Sequence, residues 1–286
     1  MKILAIDTSA TAASTAICDE NKIIGEFFIN TKLTHSRTLM PMVESLLANT
    51  NLTTTDITAV AVNCGPGSFT GVRIGVAAAK GLAFADDLPC IEVSTLESLA
   101  YNLQSANGII CSVMDARCSQ VYNALFKCDG IKPERLCKDR ALSVAELSEE
   151  LKSYDERIIL VGDGAELCYN AMKELLPNVE LAPISIRFQR ASSTAEIAVQ
   201  KFNDGEVLSA AELMPMYLRL PQAERELKKK MEEKKCLHLD VTTADITLSA
   251  QLKNILTKRV LNIKILVLTA QTALIILFTA IKLQQQ

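Results

Sequence analysis

Two segments of the chain show the same pattern of an apolar run, an aspartate and a polar turn, and this repetition constrains the fold more than any other feature. An apolar run from Ile3 to Ile6 ends at Asp7, and a turn of small polar residues leads into further apolar runs. The run from Ile109 to Met114 ends at Asp115 and is likewise followed by a polar turn and another apolar run. Short apolar runs bounded by turn residues are typical of strands. The repetition predicts two halves with the same order of elements.

Strand-like and helical patterns alternate after each opening. Serine and glutamate three residues apart form capping boxes, which mark helix starts at Ser94, Ser143 and Ser193. Alternation of strands and helices predicts an α/β fold with crossover connections. In the first half the predicted elements are a helix near residues 39–47, a strand at 57–62, a helix at 71–84 and a strand at 90–93.

Composition divides the 286 residues into four segments. We predict an N-terminal subdomain at 1–106, a C-terminal subdomain at 107–222, a charged helix or linker at 223–236, and an atypical tail at 237–286. The tail contains an apolar stretch at 263–283, which has the ~20-residue length needed to span a membrane. A membrane span, a buried amphipathic helix and a non-native extension stay open as interpretations of it.

Charge and cysteine content exclude several classes of function. Thirty Lys and Arg against thirty-three Asp and Glu give a net charge of −3, so the chain as a whole does not attract a phosphate backbone. The aromatic content of 5%, with no Trp, argues against a base-stacking surface. The nine Cys contain no C-x-x-C pair, and the N-terminus lacks the apolar run of a signal peptide. We therefore expect buried cysteines and a cytoplasmic protein.

A glycine-rich loop lies where a predicted strand passes into a helix. Gly65 and Gly67 let the backbone approach a neighbour closely, and Ser68 or Thr70 can cap the helix, whose free amides favour an anion. Neither the Walker A pattern nor G-x-G-x-x-G is matched, since Thr70 stands where the third glycine would fall. A ligand cradle and a tight packing turn both stay open.

Metal and nucleophile chemistry find little support in the sequence. His35 and His238 are the only histidines, and neither belongs to an H-E-x-x-H pattern. The G-x-S-x-G turn of serine hydrolases is absent. We predict no metal site, no cofactor and no catalytic residue, with His35 as a polar or capping residue near a helix start.

The two repeated aspartates occupy positions that carry phosphoryl transfer in duplicated ATPases. Asp7, Thr8 and Ser9 end the first strand of one half, and Asp115 ends the first strand of the other. The loops lack the glycines that phosphate approach needs, because Ala10 and Arg117 stand there instead. We predict a vestigial nucleotide cleft. A small-molecule kinase or ATPase stays open as the alternative, and a peptidase is the least supported one.

Two consecutive predicted helices carry small and apolar residues on one side. Small residues three and four positions apart allow close helix approach, which suits both a core helix and a subunit interface. The apolar surface exceeds what one sheet contact requires, which favours an interaction site. The residues are Leu39, Val43, Leu46 and Leu47 in the first helix and Gly71, Gly75, Ala78 and Ala79 in the second.

Five motifs, in order along residues 1–235, resemble those of the TsaB family of bacterial tRNA threonylcarbamoyladenosine biosynthesis proteins. The longest, Gly65 to Gly75, is highly specific. The motifs are Ile3-Leu-Ala-Ile-Asp-Thr-Ser9, His35-Ser-Arg37 with Leu39-Met-Pro41, Gly65-Pro-Gly-Ser-Phe-Thr-Gly-Val-Arg-Ile-Gly75, Asp115-Ala-Arg117 and Met216-Tyr-Leu-Arg219.

The resemblance implies a duplicated actin/hexokinase/Hsp70-like (ribonuclease H-like) fold with two mixed sheets flanked by helices. It also implies a noncatalytic subunit that pairs with TsaD, acts with the ATPase TsaE, forms a homodimer when alone and contacts tRNA mainly through the complex. The two helices described above would form the partner contact. TsaD-like chains carry a paired-histidine metal motif where this sequence has only His35. The tail beyond about Cys236 departs from the family.

Overall fold

The computed structural model describes residues 1–219, and their first half forms a five-stranded mixed sheet. The strand order is β3-β2-β1-β4-β5. Strand β1 pairs antiparallel with β2 and parallel with β4. The strands are β1 (Ile3–Asp7), β2 (Ala12–Cys18), β3 (Ile23–Asn30), β4 (Ala59–Gly65) and β5 (Cys90–Ser94).

The second sheet repeats the topology of the first. Its order is β11-β10-β6-β7-β8, with β9 also paired to β7, and β6 pairs antiparallel with β7 and parallel with β10. When β8 and β9, which both pair with β7, are counted as one strand, both halves have the order 3-2-1-4-5. The predicted duplication and fold class are therefore confirmed. The strands are β6 (Asn107–Asp115), β7 (Gln120–Asp129), β8 (Glu134–Arg135), β9 (Arg140–Ser143), β10 (Ile158–Val161) and β11 (Val179–Leu181).

Helices cover both faces of both sheets. Helices α1 and α2 pack on the outer face of the first sheet, and α4 and α5 pack on the outer face of the second. Between the sheets lie α3 and α6, in contact with each other. The helices are α1 (His35–Thr50), α2 (Phe69–Phe84), α3 (Thr95–Tyr101), α4 (Val144–Leu151), α5 (Ala165–Met172) and α6 (Ala191–Asn203).

The two inner helices are exchanged between the halves. Helix α6 follows the second sheet in sequence but packs on the inner face of the first, where Ile3 and Ala5 of β1 contact it. Helix α3 follows the first sheet but places Leu96 and Leu99 on the inner face of the second. Leu4 and Ile6 point to the opposite face of β1, as the two-residue period of a strand requires.

Two of the three predicted helix starts are correct. The Ser94 hydroxyl caps α3 by accepting a hydrogen bond from the Glu97 amide, and Ser143 forms a reciprocal capping box with Glu146. The prediction at Ser193 is wrong, because α6 begins two residues earlier and Ser193 lies inside it. Its hydroxyl donates instead to Asn102 Oδ1, at 2.6 Å.

Among residues 1–219, no helix has both the length and the apolar character needed to cross a membrane. The predicted charged segment at 223–236 and the tail with its apolar stretch at 263–283 lie outside the described residues.

Candidate functional site

The first half centres its site on a carboxylate that is fully buried at the end of β1. Asp7 Oδ1 accepts hydrogen bonds from the Ser9 amide (2.8 Å) and the Ser9 hydroxyl (2.6 Å), and Oδ2 accepts one from the Asn63 side chain. Burial raises the pKa of Asp7, whereas these hydrogen bonds oppose the rise. The carboxylate thus holds the loop after β1 in place.

Helix α2 begins directly against this loop. A Cβ on Gly71 would lie 2.1 Å from the Thr8 carbonyl oxygen, and one on Gly67 would lie 2.4 Å from the Ser9 carbonyl oxygen. The Ser68 amide donates to the Ser9 carbonyl at 2.7 Å, and the Ser68 hydroxyl accepts from the Gly71 amide. Protein atoms therefore use the Ser68 and Gly71 amides and fill the space beside the two glycines. Of the two interpretations of the glycine-rich loop, the structure supports the tight packing turn.

The second half contributes a carboxylate that the sequence analysis missed. Asp163 lies in the turn after β10, and Gln189 Nε2 donates to its Oδ1 at 3.3 Å. Burial raises the pKa of Asp163 to about 6, and the neighbouring carboxylates of Asp115 and Asp7 add to the rise. The turn that holds Asp163 packs against the end of β6, because a Cβ on Gly164 would lie 3.0 Å from the Asp115 amide nitrogen. Gln189, which donates to Asp163, accepts through its carbonyl from Ser14, the residue opposite Asp7 in β2.

Asp115 differs from Asp7 in its surroundings. It is exposed, and its Oδ1 accepts a hydrogen bond from the Arg117 amide at 2.7 Å. Arg117, Cys118 and Ser119 have φ values of 64°, 55° and 55°, so three successive residues with side chains adopt the left-handed conformation. This turn occupies the place where a glycine loop would approach phosphates.

The region is rich in hydrogen-bond acceptors, most of which are buried. Asp7, Asp115 and Asp163 supply carboxylates, and the buried oxygens Asn63 Oδ1 and Gln189 Oε1 have no hydrogen-bond partner among the described residues. Such a set repels an unaccompanied phosphate. Within residues 1–219 no three His, Cys, Asp or Glu side chains are arranged to hold a metal ion.

His35 has a structural contact in this loop. It is the first residue of α1, and its Nε2 donates to the Ala10 carbonyl at 2.7 Å. The ring thereby joins the start of α1 to the loop after β1, which agrees with its predicted place near a helix start.

A C-terminal strap, residues 213–219, ties the two halves together near this loop. The Met216 amide donates to the Cys64 carbonyl at 2.7 Å, and the Met216 carbonyl packs on Gly65. Arg73 Nε donates to the Tyr217 hydroxyl at 2.6 Å. Arg219 then reaches the second half, where it donates to the Ala116 carbonyl at 3.1 Å. The motif near the end of the described chain is thus joined to the glycine-rich motif in space.

Most residues predicted for the partner interface lie in the core instead. The prediction that these residues form a partner surface is wrong, because the apolar side of each helix packs against the sheet or the loop after β1. Leu47 and Ala78 alone among the eight are partly exposed. The buried ones are Leu39, Val43 and Leu46, which are 1–2% exposed, together with Gly71, Gly75 and Ala79.

The outward face of each helix is a different side of that helix from the predicted one. On α1, Met40 and Ala48 are exposed beside the partly exposed Leu47. On α2, the exposed residues are Thr70, Arg73, Ala77, Gly81 and Phe84.

Comparison with known proteins places the chain among tRNA-modification proteins. The family model described as TsaD, tRNA N6-adenosine threonylcarbamoyltransferase, matches residues 22–246. The tRNA threonylcarbamoyladenosine biosynthesis protein TsaB of Bacillus subtilis is 35% identical over 225 residues, 78% of this chain and 96% of that protein. TsaB of Escherichia coli is 32% identical, over 77% of this chain and 95% of that protein.

A solved structure supports the same assignment. YeaZ from Pseudomonas aeruginosa superposes with a TM-score of 0.64 at 25% identity, covering 76% of this chain and 99% of YeaZ. These matches cover nearly the whole length of the relatives, and they agree with the motif order and with the duplicated fold. The chain belongs to the TsaB family of tRNA threonylcarbamoyladenosine biosynthesis proteins.

Proposed function

We propose that this chain is a noncatalytic scaffold and activating subunit of the complex that forms threonylcarbamoyladenosine on tRNA. In this proposal it pairs with TsaD and acts with the ATPase TsaE, and tRNA is contacted mainly through the complex. The observation that carries the proposal is the identity of 35% to TsaB of Bacillus subtilis over 96% of that protein.

The geometry at the start of α2 supports the noncatalytic part of the proposal. The Ser68 amide, which could bind a phosphate, donates to Ser9, and the Thr8 carbonyl fills the space beside Gly71. Carboxylates dominate the surroundings, so the local potential disfavours a nucleotide without bound cations. A nucleotide would have to displace the loop after β1 to reach these amides.

Assays of ATP hydrolysis and tRNA modification by the purified chain test whether it is noncatalytic. We expect neither ATP hydrolysis nor tRNA modification by the chain alone, and modification once TsaD, TsaE and an activated threonylcarbamoyl donor are added. The matched variant is Asp7→Asn, which keeps the size of the side chain and removes its charge. ATP turnover by the chain alone that disappears in Asp7→Asn, while the variant keeps its melting transition, would contradict the proposal.

That same outcome would support the second candidate, a small-molecule kinase or ATPase. The observation that favours it is the placement of Asp115 and Asp163 just past the ends of the neighbouring strands β6 and β10, in the half that repeats the strand of Asp7. Carboxylates in such a place hold cations and orient water in phosphoryl transfer.

The partner surface in this proposal is the outward side of α1 and α2, which also forms a homodimer when the chain is alone. Ala78→Glu adds a charge at the edge of this surface, and an unpaired charge in a contact weakens it strongly. We expect loss of TsaD in pull-down, while the variant keeps a cooperative melting transition. Asn170→Glu, on an exposed position of α5, is the control that should keep TsaD. Full retention of TsaD by Ala78→Glu would place the contact elsewhere.

A further inference from the structure

Three consecutive residues of the turn between β6 and β7 adopt a backbone conformation that is unfavourable for residues with side chains. Arg117, Cys118 and Ser119 have φ values of 64°, 55° and 55°. In this left-handed region the Cβ crowds the following carbonyl oxygen, which asparagine and aspartate tolerate better than other residues with a Cβ. The other non-glycine residues of 1–219 with positive φ are Asn51 and Asp87, and each stands alone. A run of three persists only where surrounding contacts hold it.

Hydrogen bonds at both ends hold this turn. At its start the Arg117 amide donates to Asp115 Oδ1 at 2.7 Å, and at its end the Val144 amide donates to the Ser119 carbonyl at 3.1 Å. Val144 is the first residue of α4, so the conformation of the turn is linked to the start of that helix. Because both amides are hydrogen-bonded, they exchange with solvent only when the turn opens.

The strap contributes a further contact at the start of the turn. Arg219 Nη1 donates to the Ala116 carbonyl at 3.1 Å, and a guanidinium is a charged donor, which strengthens the hydrogen bond. The peptide unit between Ala116 and Arg117 is thus held on both sides, with its carbonyl bound to Arg219 and its amide bound to Asp115. Rotation of this peptide plane changes the φ of Arg117. The strap therefore fixes the first left-handed residue of the run.

Two residues earlier, the strap is fixed on α2. The Tyr217 hydroxyl accepts from Arg73 Nε at 2.6 Å, and the Tyr217 and Phe69 rings stack with their centroids 5.1 Å apart. The guanidinium of Arg73 lies 3.9 Å from the Phe69 ring centroid. Because one residue separates Tyr217 from Arg219, the chain between them has little slack to absorb a displacement. A shift of Tyr217 on α2 is therefore passed to Arg219.

We infer that the strap is a latch that keeps the turn between β6 and β7 in its left-handed conformation and couples that conformation to α2. In the latched state Arg219 holds the Ala116 carbonyl. In the released state the peptide plane after Ala116 rotates, the run relaxes to ordinary φ values, and the Val144 amide loses its acceptor. Strain in the run favours release and the latch opposes it, which is the balance that a switch requires. The latch works within one chain, so it goes beyond the proposed function, which concerns partner binding.

Hydrogen exchange of the full chain measures how often the turn opens. In Arg219→Ala we expect the Arg117 and Val144 amides to exchange at least tenfold faster, while the variant keeps a cooperative melting transition. Arg219→Lys retains a charged donor and should recover part of the protection. Arg157→Ala is the matched control, because Arg157 pairs with Glu180 on the surface, and it should leave both rates unchanged.

Glycine separates strain from the simple loss of a contact. Cys118→Gly with Ser119→Gly removes the crowding by Cβ, because glycine adopts positive φ readily. When these two changes are added to Arg219→Ala, both amides should exchange at least threefold more slowly than in Arg219→Ala alone. Exchange that stays equally fast would show that the latch does not oppose strain, and the inference would fail.

The coupling to α2 is tested at Tyr217, which forms its hydrogen bond and its ring stack with that helix. Tyr217→Ala frees the strap from Arg73, so we expect the Arg117 and Val144 amides to exchange at least threefold faster. Tyr217→Phe keeps the stack and should have a smaller effect. Unchanged rates in Arg219→Ala or in Tyr217→Ala would overturn the inference. None of these measurements involves TsaD, so either proposal can fail while the other holds.

Discussion

Single carboxylates in the site differ because their surroundings differ. Asp7 is fully buried and accepts three hydrogen bonds, from Ser9 and Asn63. Asp163 accepts one, from Gln189, and burial raises its pKa to about 6. Asp7 therefore organises a loop, whereas the ionised form of Asp163 lowers the stability of the folded protein near neutral pH.

Asp163→Asn should stabilise the protein more at pH 7.5 than at pH 4.5. A pKa raised from 3.8 to about 6 means that the folded state binds the proton more tightly, so stability falls as the pH rises from about 4 to about 6. The asparagine removes this loss, which partial solvent access limits to about 1–2 kcal/mol. Urea unfolding at both pH values measures it. Asp155→Asn, at an exposed position, should show no such difference, and an equal effect of Asp163→Asn at both pH values would contradict the prediction.

How well the sequence predicts individual site residues depends on whether the signal is local. Asp7 and Asp115 could be found because each follows an apolar run. Asp163 stands in a Gly-Asp-Gly turn that any surface loop could contain, and its role comes from Gln189, 26 residues later. Contacts at such separations leave no spacing pattern, so the sequence alone does not reveal them.

Whole helices are positioned by contacts at their ends. Helix α6 has Arg190 as its N-cap residue without a side-chain cap. Glu26 of β3 caps the helix instead, because its carboxylate accepts hydrogen bonds from the Ser192 amide (3.1 Å) and the Ser192 hydroxyl (2.9 Å). The same carboxylate forms an ion pair with Arg190 at 2.6 Å. A negative charge at a helix start also suits the helix dipole.

Glu26→Gln should destabilise the fold by about 1–2 kcal/mol, because it removes a charge-assisted cap and an ion pair that is mostly shielded from water. Chemical unfolding measures the change. Glu149→Gln is the control, since Glu149 pairs with Lys152 on the surface, where their side chains are 70% and 44% exposed, and we expect less than about 0.5 kcal/mol there. Equal effects of the two substitutions would mean that Glu26 does not cap α6.

Two glycines of α2 should respond to alanine in opposite directions. Gly71→Ala places a methyl group 2.1 Å from the Thr8 carbonyl and should cost about 3 kcal/mol, as overpacking does. Gly81→Ala meets open space and should stabilise the monomer by roughly 0.5–1 kcal/mol. Thermal unfolding of both variants compares them directly. A stabilising Gly71→Ala would show that α2 does not pack closely on the loop after β1.

The sequence predicts where helices lie better than which way they face. Small residues on α2 indicated close approach, and close approach occurs, but to the chain's own loop through Gly71 and Gly75. A stripe of small residues has the same sequence pattern whether it packs against its own chain or against a partner. Only the three-dimensional position of the loop after β1 distinguishes them.

The described residues form buried clusters on both faces of both sheets. The four clusters among residues 1–219 contain residues from Ile3 to Leu213. Truncation after Lys235 should therefore leave a protein with a cooperative melting transition close to that of the full chain. Calorimetry of the two forms is the measurement. Aggregation of the truncated chain, or loss of its transition, would mean that the tail belongs to the core.

The exchanged inner helices have a consequence for the origin of the chain. A polypeptide with only one half would leave the inner face of its sheet bare, and its third helix would have no sheet to cover. Two such polypeptides could satisfy each other by trading that helix. The present chain has the layout of a domain-swapped pair of ancestors fused end to end, with the short link from α3 to β6 as the seam.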